Sequence, residues 1–212
     1  MSDTPRSISV TGTGSAEAVP DLLTLSIGVE CRRDTVAEAY GDAGTRSAAI
    51  TAELRNHGVD SADMSTSGLN VRAEVNWQDG RGQTVTGYLA SSTLTVRIRR
   101  LSESSRILAA AVAAGGDDVR LNGLSLGFTD SAAVEARARE AAWQDARTTA
   151  AHYAALSGTG LGKVLSLTEH TGFQAPIPVA KMERVVAADS LAVEAGESSV
   201  TATVGVVWEL LD

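Results

Sequence analysis

The sequence is poor in the residues that staple, anchor or ligate. Its 212 residues include one cysteine, Cys31, so no disulfide can close within the chain and packing alone must hold the fold. The three histidines, His57, His152 and His170, stand far apart without metal-ligand spacing. Aromatic residues make up 4% of the chain, which leaves Ala, Val and Leu to fill the core and implies close approach of helix to sheet. No run of 18 apolar residues occurs, so no membrane span is expected. No block of like charge suggests a tail, and a formal net charge of −8 repels phosphate backbones, so nucleic acid is not an expected partner. The opening MSDTPRSISVTGTGSAEAVPD has no apolar segment of the secretory kind, and a cytoplasmic location is expected.

What is present is clear periodicity. Leu23, Leu25, Ile27, Val29 and Cys31 alternate with polar residues, which predicts a strand with one buried face. A helix follows from an Asp34 cap to about His57, with Val36, Tyr40, Ala43, Ser47, Ile50 and Leu54 on one side. Strands over about 64–75 and 86–99 flank the loop-forming NWQDGRGQ. A short helix is expected over 103–114, a strand over 119–128, an Ala-rich helix over 131–156 and a strand over 163–170. In the last strand Val200, Ala202, Val204, Val206, Trp208 and Leu210 alternate without a break.

The order strand, helix, strand, strand occurs twice. The expected fold is therefore α+β: a single domain over 1–212 with related halves, about 7–100 and 117–212, joined by the short helix, and helices packed on largely antiparallel sheet. The stretch 171–199 reads as a long loop or extension, either flexible or packed against a neighbouring surface.

Three motifs invite chemical readings. SGTGLGKV, at 157–164, ends in Gly-Lys like a phosphate loop, but lacks the first glycine and the hydroxyl residue after the lysine. It also leaves a helix instead of opening one, so it meets the negative end of the helix dipole; Gly158 fits a helix stop. TGTG, at 11–14, is weaker still. GLSLG, at 123–127, matches a nucleophile elbow, yet alternation places Ser125 inside a strand. Ser125 as a hydrolase nucleophile, and Cys31 as a thiol redox sensor, are kept as alternatives to a non-enzymatic function. No catalytic, cofactor-binding or metal-binding residue is assigned. Candidate interface residues are Trp77 at a hairpin tip, Arg97 and Arg99 on one strand face, and Pro176, Ile177 and Pro178 in the long connection.

Several stretches together resemble the SIMPL-domain family, which includes the YggE-like bacterial stress proteins. They are ISVTGTGSAEAVPD, the Gly87-Tyr88 pair opening a long strand, GGDDVRLNGLSLGFTD, EARAREAAWQDARTTAAHYAALSG, LGKVLSLTE and VTATVGVVWEL. The resemblance spans about Ser7 to Leu210. It implies an α+β fold in two related halves, a tendency toward large homo-oligomers, and an association with oxidative-stress defence or with signalling-partner binding. It supplies no catalytic residues. The expected protein is a non-enzymatic, self-associating binding or scaffold protein whose partners are copies of itself, with another protein as a further candidate.

Overall fold

The computed structural model describes residues 6–78, 82–170, 177–179 and 195–212. In chain order these form β1 (Ser7–Ala18), β2 (Leu22–Arg33), α1 (Val36–Asn56), β3 (Met64–Gln78), β4 (Gly82–Ile98), α2 (Ser104–Gly115), β5 (Val119–Gly127), α3 (Ala132–Leu156), β6 (Gly160–His170), β7 (Ile177–Val179) and β8 (Glu197–Leu211). The protein is α+β, as its periodicity predicts. Its elements gather into two compact units, one with β2–β5, α1 and α2, the other with β1, α3 and β6–β8.

In the first of these, the sheet order is β3-β4-β2-β5 and every pairing is antiparallel. The alternation of β2 sends Leu23, Leu25, Ile27, Val29 and Cys31 into the core. Register sets them opposite Ile98, Val96, Leu94, Ser92 and Ala90 of β4. Helix α1 covers this face with Ala39, Ala43, Ile50 and Leu54, and α2 adds Ile107, Leu108 and Ala111. Thr35, rather than Asp34, caps α1: its side-chain oxygen accepts the Glu38 N–H at 3.2 Å, satisfying one of the four donors a helix start leaves open. The first turn carries Val36 and Tyr40 into solvent, so the covered face begins at Ala39.

The other unit has sheet order β1-β8-β6, again antiparallel, with β7 on β8. Helix α3 lies mainly on β1 and β8. Its buried residues are Val134 and then Ala138, Ala142, Ala146, Ala150 and Ala154, an unbroken stripe of methyl groups at four-residue spacing. Of these, Ala142, Ala146 and Ala150 pack with Val10, Val204, Val206 and Trp208. The Trp208 ring also meets Trp143, with centroids 5.8 Å apart and planes tilted by 42°.

The two units share a connectivity. Strand, helix, strand, strand runs β2-α1-β3-β4 in one and β1-α3-β6-β8 in the other. In both, the third strand lies between the first and second. The repeat therefore differs in membership from the halves read along the chain. β5, expected to open the second half, pairs with β2, and β1 takes that opening place by pairing with β8 from Ser7↔Glu209 to Ala18↔Ser198. The joining helix α2 packs on α1. Local periodicity reports which residues form a strand, but pairing across more than a hundred residues leaves no mark in it.

Candidate functional site

The glycine motifs resolve into backbone geometry. Helix α3 stops at Leu156, and Gly158 has φ +71°. Its N–H donates to Ala155 O at 3.1 Å, and the Thr159 N–H donates to Ala154 O at 3.0 Å. This pair of bonds is the Schellman stop, which satisfies two orphan carbonyls. Helix α1 ends the same way: Gly58 has φ +78°, its N–H donates to Arg55 O at 2.8 Å, and the Val59 N–H donates to Leu54 O at 3.0 Å. In β1 the TGTG run serves contact. A Cβ on Gly12 would lie 2.3 Å from Ala142 O, and one on Gly14 would lie 2.2 Å from Ala142 N. The helix backbone rests directly on the strand.

Ser125 lies within β5, paired to Thr24 of β2, which itself pairs to Arg97. It shares the polar sheet face with both. β5 ends at Gly127 and the next helix starts at Ala132, so no strand-to-helix elbow presents the hydroxyl. Cys31 has no exposed surface. Burial, and next the negative charge of Asp118, push its thiol above the usual range, whereas a sensor cysteine needs an accessible, stabilised thiolate.

Arg97 and Arg99 converge on an acid that sequence reasoning missed. Asp63 ends the short turn Ser61–Asp63 just ahead of β3, and it is buried. Arg99 grips it with two bonds, Nε to Oδ2 at 2.8 Å and Nη2 to Oδ1 at 2.9 Å, and an Nη2 of Arg97 reaches Oδ1 at 3.0 Å. The Arg99 hydrogen bonds, with the charges of both arginines, hold the Asp63 carboxyl below the usual carboxylate range against the opposing effect of burial. The reciprocal effect raises the Arg99 guanidinium. The cluster borders a cavity of about 450 Å³ lined by Gly58, Val59, Asp60, Ile98, Arg100 and Ile107 as well. Its geometry ties the start of β3 to the end of β4. The only sequence signal for Asp63 is an acid before a strand, which is too common to single out.

Trp77 lies near the end of β3 and is 71% exposed. Ile177 and Pro178 belong to β7, opposite Ser199 and Ser198 of β8, and Pro176 lies outside the described residues. A second surface was not foreseen. Beside α3, a groove of about 310 Å³ is lined by Trp143, Leu167, Ala202 and Val204, with Arg139 and Glu169 joined across its rim at 2.6 Å. It exists because α3 covers β1 and β8 and leaves the β6 side of the sheet open: Val164, Leu165 and Leu167 are all exposed.

A family model described as "SIMPL: Protein of unknown function (DUF541)" matches residues 8–208. The "26 kDa periplasmic immunogenic protein" of Brucella melitensis is 31% identical over 222 aligned residues, covering 99% of this chain and 87% of that protein. Its namesake in Brucella abortus is 30% identical over the same coverage. The "Uncharacterized protein YggE" of Escherichia coli is 31% identical over 192 residues, 91% of this chain and 77% of the relative. The periplasmic names overturn the cytoplasmic location expected from the opening residues; the composition of a chain's first segment tests only that segment. With a family model matched along nearly its whole length and relatives aligned over most of both chains, this protein belongs to the SIMPL family, one described as of unknown function.

Proposed function

We propose that this protein is a non-enzymatic scaffold that self-associates and works in the periplasm in defence against stress. One observation carries the reading: both sheets extend apolar residues past the helices that cover them. Val75, Trp77 and Val85, then Leu121 and Leu124, in one unit, and Val164, Leu165 and Leu167 in the other, are 40–71% exposed. Apolar surface grouped in this way marks binding. β3, β5 and β6 are also edge strands, whose open hydrogen-bonding sides invite pairing. The partners are copies of the chain, and another protein is a further candidate. The periplasmic placement rests on the names of the Brucella relatives, and a chain that needs no disulfide suits either redox compartment. The stress link rests on the family resemblance.

Light scattering over a hundredfold range of concentration tests self-association. Masses above that of the 21.9 kDa chain are expected; a monomer throughout would overturn the reading. Osmotic-shock fractionation of the native host tests location, with release in the periplasmic fraction expected.

A further inference from the structure

The β3–β4 hairpin outruns the sheet that supports it. Pairing of β2 with β4 stops at Arg33↔Tyr88, whereas pairing of β3 with β4 continues to Gln78↔Gly82. Beyond Tyr88 the hairpin is a ribbon of two strands, which is marginally stable alone.

The ribbon has two unlike faces. Along β3, Val71, Ala73, Val75 and Trp77 point the same way by strand alternation. Val71 sits opposite buried Ala90, and both Val71 and Tyr88 pack on the core. The outer pairs Val75↔Val85 and Trp77↔Gln83 therefore continue the core-facing side of the sheet beyond its helix. They are left open, Val75 at 46%, Val85 at 51% and Trp77 at 71% exposed. The opposite face carries Asn76↔Thr84 and Glu74, which Arg32 holds at 2.6 Å. A core pattern is written into this ribbon, and nothing described in the chain's own unit completes it.

Charge points to the occupant. The chain carries a formal −8, so two copies repel over most of their surface. From Arg72 to Thr86 the balance is zero, Arg72 and Arg81 against Glu74 and Asp79. A partner selected by charge complementarity would need a charged stripe, and this one carries no net charge. It does match itself: two Val-Val-Trp faces meet without burying an ion. We infer that the face formed by Val75, Trp77 and Val85 is the seam on which two copies of this chain dock, ribbon against ribbon about a two-fold axis. This inference rests on the self-association proposed above and names its surface.

Three measurements on the purified full chain test it. Sedimentation equilibrium of Trp77→Ala should show dimerisation weakened at least about 30-fold, the loss typical of a central aromatic anchor. Thermal melting at concentrations where both proteins are monomeric should be unchanged, because the ring is exposed in the single chain. Since Cys31 is buried, an added cysteine is the only accessible thiol. Under mild oxidation Gln83→Cys, on the apolar face, should give a disulfide-linked dimer, and Asn76→Cys, on the polar face, should not. Undiminished association of Trp77→Ala overturns the seam and leaves self-association standing on another surface. Cross-linking through Asn76→Cys but not Gln83→Cys also overturns it. A wild-type chain monomeric at every concentration removes both proposals together.

Discussion

The two units solve one packing problem in opposite ways. Each lays a helix on a three-strand core with the same strand order, and each ends that helix at a glycine with positive φ. The β2 unit fills the gap with Leu23, Leu25, Ile27, Ile50, Leu54 and Ile107. The β1 unit nearly abolishes the gap, pressing the alanines of α3 onto Gly12 and Gly14. A thick layer gains stability from buried side-chain area. A thin one gains it from backbone-close contact, and it tolerates no added atoms. The same topology thus does not fix the same vulnerability.

Substitutions can break this contrast. The largest effect is expected at Gly14→Val, whose new side chain would start 2.2 Å from the α3 backbone. Overpacking against backbone should cost more than about 3 kcal/mol. With the exposed Trp77 of the other unit replaced by Phe in every variant, the Trp143–Trp208 pair makes tryptophan emission a reporter of this unit, so a red shift before any denaturant is added is expected. Next, Leu54→Ala in the thick core should cost about 3 kcal/mol by urea denaturation and leave that emission unmoved. If the two variants disturb the emission alike, the contrast between the units fails.

A smaller loss, about 1 kcal/mol, is expected for Asp63→Asn, because its arginine partners remain half exposed. The pH dependence has a definite sign. The folded carboxyl titrates below its unfolded value of about 3.9, so its contribution is full above that pH and is lost as pH falls through the folded value. Wild type and Asp63→Asn should therefore converge in stability below about pH 4. The smallest effect runs the other way. Gly44 lies exposed in α1 with nothing within 4 Å of a built Cβ, and Gly44→Ala should raise the melting temperature through a gain of about 0.5–1 kcal/mol. The pair Gly14 and Gly44 separates glycines that a contact demands from one that it does not.

Much of this architecture is legible in the sequence alone. Alternation placed β2, β4 and β8, and the helix stops were readable at Gly58 and Gly158, because these signals are local. The purpose of Gly12 and Gly14 was not, since it depends on a helix more than a hundred residues away. The same distance hid the exchange of β1 and β5 between the repeats. Asp63 was invisible for a related reason: its partners are in β4 and just beyond it, and a lone acid before a strand announces nothing. Among candidate site residues, the sequence marked Trp77 as exposed and aromatic, but only the register showed that it extends a core face.

The pairing of β1 with β8 also sets an order of events. During synthesis β1 emerges well before its partner strand β8, with β2–β5 and α3 between them in the chain. The sheet of β2–β5 can close before β8 emerges, whereas the other must hold β1 in waiting until β8 arrives. Closing so long a loop is slow. Through that interval, the alternating Ile8, Val10 and glycine-bearing stretch of β1 is the segment most open to capture by a chaperone or by a neighbouring nascent chain.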